Sequence, residues 1–174
     1  MYAVVLILCF WHIYQRGLSL TEMIGFQLKD LPKCLAIGLA LGIPAGATEY
    51  LVLTPAATFP TFEIANLLRD LAYMLLFVGL AEELLFRGLI QRDLVTAFGA
   101  RWGIFGASAL FTVMHLTWRS IPELAFVFCV GALLGYIYHV TRSLVAPVIV
   151  HGVGNTVLVA VMPYLIKLGS DYVR

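Results

Sequence analysis

Gly79-Leu-Ala-Glu-Glu-Leu-Leu-Phe-Arg-Gly-Leu-Ile-Gln-Arg92 is the stretch on which the reading of this chain turns. An apolar run, residues 71–80, leads into the adjacent carboxylates Glu82 and Glu83 and then into Arg87. In water this would be an ordinary helix. In lipid, an unpaired charge at a helix centre costs about 2.5–3.5 kcal/mol on insertion scales. Unpaired, the three together would cost on the order of 8–10 kcal/mol. A chain that carries such residues through a bilayer uses them.

Lipid is the solvent that the composition requires. Of 174 residues, 61% are hydrophobic and 12% charged, where a soluble domain carries about 25% charged residues. That much apolar surface cannot be hidden in one water-facing globule. The net charge of +1 points to neither a nucleic-acid partner nor an acidic ligand. Cys9, Cys34 and Cys129 are scattered through apolar stretches, odd in number and without CxxC spacing, so they read as small buried hydrophobes.

Working outward, the apolar residues 1–14 lack the basic start and the A-x-A-like cleavage site of a signal peptide. They are short against the ~20 residues of a spanning helix, so we expect a partial first membrane helix. Ser19 and Glu22 have capping-box spacing and open a short interfacial helix. Residues 32–53 form the second apolar segment, rich in small residues and carrying Gly42 and Gly46 in a GxxxG that suits close helix approach. The third runs over 63–97, with a turn at Phe98-Gly99-Ala100, and the fourth over 102–117. The fifth, 123–140, has Gly131 and Gly135 four apart, and the sixth covers 144–165.

Strands are excluded because open sheet edges cannot sit in lipid. The fold class is therefore all-α, a polytopic bundle of about six membrane helices with the first truncated. Residues 1–62 read as N-terminal helices and an interfacial segment, and 63–166 as the catalytic helix core, in one integrated domain. Arg16, Lys29, Lys33, Arg87, Arg92, Arg101 and Arg142 lie toward one side; Arg69, Arg119, Lys167 and Arg174 lie toward the other. The first group marks the cytoplasmic face.

Polar residues within the spans are few. Glu83 and Arg87 are four apart with the acid first, the favourable order for a helical ion pair. Glu82 then points about 100° away, free to face another helix. Counted from the turn at Gly99, Glu82 and His115 fall at nearly the same depth on antiparallel helices. His151 and Asn155 share a face of the sixth helix. Straight-helix arithmetic leaves His151 roughly 10 Å from the depth of His115, a gap that tilt or a dipping 118–122 loop has to close. Glu49 and His139 read as interfacial.

A carboxylate, two imidazoles and an amide can act in two ways. Glu82, His115 and His151 could ligate zinc with a fourth position for water. Alternatively, Glu82 and His115 polarise a water directly while His151 and Asn155 donate to an oxyanion. Both lead to hydrolysis.

Glu82-Glu83-Leu-Leu-Phe-Arg87 resembles the EExxxR motif of the CPBP family, the CAAX-protease and bacteriocin-processing (Abi) intramembrane proteases. Phe111-Thr-Val-Met-His115 resembles its FxxxH motif and His151-Gly-Val-Gly-Asn155 its HxxxN motif, in the same order. The resemblance covers roughly residues 63–160. It implies a membrane endopeptidase of a bacterial plasma membrane, acting on a membrane-associated peptide or protein, prenylated CAAX-like or bacteriocin-type. By carry-over, Glu82 and His115 activate the water, His151 and Asn155 complete the site, and Glu83, Arg87 and Phe111 support it. Zinc or a metal-free glutamate mechanism both stay open. A non-catalytic immunity or scaffold protein of the same fold is the alternative, followed by a small proton-coupled transporter. A serine protease of the rhomboid kind is disfavoured, because Gly106-Ala-Ser108-Ala lacks GxSG.

Overall fold

A computed structural model describes residues 1–172 of the chain, and these are helical nearly throughout, with no strand among them. Four helical stretches are long and apolar enough to cross a membrane: Leu20–Leu53, Ile64–Val113, Ile121–Thr141 and Val145–Lys167. The shorter apolar helix α1 is Tyr2–Gln15. The outer surface carries large apolar side chains, among them Leu8, Trp11, Leu51, Leu76, Phe105 and Tyr136, as a lipid-facing surface does.

After α1 comes the short helix α2 (Leu20–Ile24), where Ser19 Oγ accepts the Glu22 amide, as the capping-box spacing predicts. Helix α3 (Leu31–Leu53) follows. The third apolar segment is not one uniform helix. It consists of α4 (Ile64–Tyr73), a π-helical stretch π1 (Met74–Gly79), α5 (Leu80–Glu83), a second π stretch π2 (Leu84–Gln91) and α6 (Arg92–Val113). Periodicity alone does not reveal π turns, which are rare and cluster at functional sites. Here they bracket the two glutamates.

At Gly99 the backbone turns to φ 80° and ψ 167°, a left-handed-side conformation that glycine adopts without strain. The two arms fold back on each other: a Cβ on Gly103 would lie 2.6 Å from the backbone nitrogen of Val95. The turn expected at 98–100 is thus present, and Ile64–Val113 is a hairpin of two helical arms. Helix α7 (Ile121–Thr141) and the largely buried α8 (Val145–Ala160) follow, and α9 (Met162–Tyr172) starts after a break at Val161, just before Pro163.

Helix α8 is the centre of the bundle. Helix α3 runs parallel along it, and its glycines set the approach. A Cβ on Gly38 would meet Ile149, one on Gly42 the carbonyl of Val150, and one on Gly46 the carbonyl of Gly154 at 2.1 Å. Without a hydrophobic drive between helices in lipid, such close van der Waals packing holds them together.

The loops sort into two sides. Arg16 pairs with Asp93 at 2.5 Å, and Ser143 Oγ and the Leu144 amide donate to the Ile24 carbonyl, so the first, third and fifth connections share a face. At the other end, the Thr58 amide donates to Val159 O and the Tyr164 hydroxyl to Phe59 O. Arg87 is buried in the bundle and belongs to neither face.

Gly46→Ala is expected to lower the unfolding midpoint in detergent, by an overpacking cost of about 1–3 kcal/mol. Gly106→Ala meets only the flexible Leu94 Cδ1 at 3.1 Å and is expected to be tolerated. Thermal unfolding of both variants checks the pair.

Candidate active site

The motif side chains come from α5, π2, α6, the turn that follows it, and α8. Glu82 and Glu83 end α5, so consecutive residues point to different neighbours. Glu83 is fully buried and faces inward. Its Oε1 accepts from Arg87 at 2.8 Å, which is the helical ion pair expected from the sequence. The same oxygen lies 2.7 Å from His151 Nδ1 on α8. Arg87 also donates to Gly131 O at 3.1 Å, and its guanidinium lies 4.6 Å over the Phe111 ring. One turn on, Gln91 donates to Gly135 O at 2.9 Å. The two glycines of α7 leave room for side chains that grip its backbone: a Cβ on Gly135 would stand 2.5 Å from Gln91 Oε1.

Glu82 turns toward α1 and lies beside the Tyr2 side chain. Its Oε2 is 3.7 Å from His151 Nε2. His151 therefore stands between both glutamates, with Glu83 holding one ring nitrogen and Glu82 facing the other. A carboxylate accepts only, so Nδ1 carries the proton toward Glu83. Nε2 is left facing Glu82.

His115 lies beyond the end of α6, at the start of a 3₁₀ turn over Leu116–Trp118. Its Nδ1 is 3.0 Å from Phe111 O. A carbonyl accepts only, so the neutral ring presents Nε2 as a lone pair. The depth gap expected between His115 and His151 is closed at Phe111, whose ring centroid is 4.8 Å from the His115 ring and 5.9 Å from the His151 ring. His115, His151 and Asn155 line one cavity of about 40 Å³ with Phe111. That volume holds a water or two.

The structure brings together His115, His151, Asn155 and Phe111, and separately Glu82, Glu83, Arg87 and His151. No hydrogen bond or ion pair joins Glu82 to His115 among the described residues. Nor is any group of three His, Cys, Asp or Glu side chains there gathered closely enough to hold a metal ion. As arranged, Glu82, His115 and His151 do not fit a three-ligand zinc site. The cavity also contains a residue that the sequence reading set at the interface: Glu49 of α3 lines it. Behind Glu49 lies Glu123 of α7, fully buried, against Glu49 and His115. Ser120 caps α7 and Glu123 follows it at capping-box spacing, so from sequence Glu123 looks like an ordinary cap residue.

Residues 64–157 match the family described as type II CAAX prenyl endopeptidase Rce1-like. The chain belongs to this family. The match takes in the arm from α4 through α6, all of α7 and most of α8, and with them every motif residue named above. No curated protein and no solved structure matches the chain. At the level of the family, an Rce1-like protein is a protease embedded in the membrane, with the bilayer and a membrane-associated substrate as its partners.

Removing Glu83 would leave Arg87 buried without its carboxylate, which costs about 3–5 kcal/mol for a broken buried pair. Glu83→Ala is expected to lower the unfolding midpoint sharply, and Glu83→Ala combined with Arg87→Met to regain much of the loss. A double-mutant cycle by thermal unfolding in detergent reads the coupling.

Proposed function

We propose that this Rce1-like chain hydrolyses a peptide bond of a membrane-associated, prenylated CAAX-like substrate with a water activated by protein side chains. The observation that carries the reading is His151 held between Glu83 at 2.7 Å and Glu82 at 3.7 Å, inside an apolar bundle. Structural polar contacts alone need one partner; here a second carboxylate is kept beside the free nitrogen.

In this reading Glu82 takes the proton of the attacking water. His115, with Nδ1 tied to Phe111 O, offers Nε2 as acceptor to a water in the cavity. The water oxygen attacks the scissile carbonyl carbon, and the oxyanion is met by the Asn155 amide and, when protonated, by His151 Nε2–H. A protonated His151 also balances the local charge, two glutamates against Arg87 and itself. Collapse of the tetrahedral species breaks the C–N bond, and the proton taken up by Glu82 passes to the leaving amine. Glu83 and Arg87 position His151 and do not touch the substrate. Zinc is assigned no step. The small cavity admits the water and not a peptide, so a substrate approaches by displacing side chains that line it.

A farnesylated peptide incubated with the protein in nanodiscs, followed by mass spectrometry, tests the reading. Glu82→Gln and His115→Ala are each expected to lower cleavage by about 10²–10⁴-fold, the usual worth of a general base, while both variants keep the thermal unfolding of the parent. Cleavage is expected to be unchanged by a zinc chelator. Unimpaired cleavage by Glu82→Gln would refute the assignment; loss on chelation, with metal found in the purified protein, would move the chemistry to a metal.

A further inference from the structure

A second cavity, of about 270 Å³, takes no part in the chemistry above. Its walls come from the short helix α2, the junction of π2 with α6, and the C-terminal end of α7. The membrane-crossing stretch of α7 ends at Thr141, so the cavity lies at the depth where lipid headgroups meet the protein. The charged and titratable residues lining it are Glu22, Arg92, His139 and Arg142. Both guanidinium groups lie close to the Tyr138 hydroxyl, so they flank one part of the wall. Neither arginine makes an ion pair among the described residues, and Glu22 makes none either. Opposite charges thus face one cavity without closing on each other.

Gln91 supplies a second, independent observation. Its side chain lines the same cavity and is only 2% exposed. Nε2 donates to Gly135 O at 2.9 Å. A carbonyl accepts only, so that bond fixes which way the amide points. Oε1 is then a buried acceptor, and no described donor reaches it. Such a group is costly unless an N–H or O–H meets it. The walls therefore present two cationic groups and, apart from them, two acceptors, the Glu22 carboxylate and Gln91 Oε1. That is the complement of a ligand with an anion at one end and an N–H donor at the other. The volume is several times the ~30 Å³ share of a water.

We infer that this cavity binds the headgroup of a phosphatidylethanolamine lipid, with its phosphodiester at Arg92 and Arg142 and its ammonium toward Gln91 Oε1 and Glu22. Guanidinium forks match phosphate oxygens, and basic pockets between membrane helices at an interface take lipid headgroups. Tyr136 and Val140, at the same end of α7, are exposed apolar surface along which acyl chains can lie. A choline headgroup has no N–H or O–H and leaves Gln91 Oε1 unanswered. A glycerol headgroup brings a hydroxyl but no positive charge for Glu22. The site includes none of the residues assigned to hydrolysis, so it does not depend on the endopeptidase reading.

The delipidated protein in detergent is titrated with phosphatidylethanolamine, phosphatidylglycerol and phosphatidylcholine of the same acyl chains, and bound lipid is counted by native mass spectrometry. The ethanolamine lipid is expected to bind about 10-fold tighter than the choline lipid, as one charge-assisted hydrogen bond allows, with the glycerol lipid between them. Arg142→Gln is expected to weaken all three, and Glu22→Gln to bring the ethanolamine lipid down to the glycerol one. Both side chains are exposed, so both variants are expected to keep the lipid-free unfolding midpoint of the parent. Arg101→Gln, outside the cavity, is expected to change nothing. Soluble glycerophosphoethanolamine at equal concentration is expected not to displace the lipid. An ethanolamine lipid bound no tighter than the choline lipid overturns the inference, as does a preference that survives both Arg142→Gln and Glu22→Gln. A glycerol lipid bound tighter than the ethanolamine lipid overturns the ammonium assignment. Displacement by glycerophosphoethanolamine overturns the lipid as the source of the headgroup.

Discussion

A single carboxylate oxygen ties the bundle together at its site. Glu83 Oε1 accepts from Arg87 and from His151 Nδ1, and Arg87 reaches on to the carbonyl of Gly131. Three separate stretches of chain, the α5–π2 segment, α7 and α8, are thereby held by charge-assisted bonds among buried groups. Each of these groups would be expensive alone in lipid. Together they satisfy one another, and their relative positions are fixed as a result. The imidazole of His151 inherits that rigidity: with Nδ1 anchored, it presents Nε2 to the space beside Glu82.

The packing around this point is built to permit it. Glycines at 131 and 135 bring the α7 backbone within reach of Arg87 and Gln91, and glycines at 38, 42 and 46 let α3 press along α8. These are the small-residue contacts that replace the hydrophobic effect inside a bilayer. The π stretches on either side of α5 add a residue to each turn there, which shifts the faces of Glu82 and Glu83 relative to the helix that follows. Phe111 completes the arrangement. It carries the Arg87 guanidinium on its face and lies against both imidazoles, so one ring joins the ion pair to the cavity side of the site.

The two halves of the site have different electrostatic characters. Around Glu83 the charges are paired within the chain. Around Glu49 and Glu123 two carboxyls lie against each other, with His115 and His151 beside them.

The sequence by itself determined that this is an all-α membrane protein and where its chain turns, and it singled out the few ionisable residues within the spans, because in lipid each stands out against its cost. The Glu83–Arg87 pair, the Ser19 cap, the hairpin at Gly99 and the close glycine contacts are local or nearly so, and spacing suffices to read them. Tertiary structure alone decided the partners. That His151 gives Nδ1 to Glu83 while facing Glu82 depends on the rotation of α8 against α5, which segments apolar nearly all round do not encode in their periodicity. The π turns and the early end of α6 before His115 are backbone departures without a sequence signature of that kind. Glu49 and Glu123 were hidden for the same reason. One sits near a helix end and the other at a capping position, both ordinary places for a glutamate, and only the convergence of α3 and α7 on one cavity puts them beside the histidines.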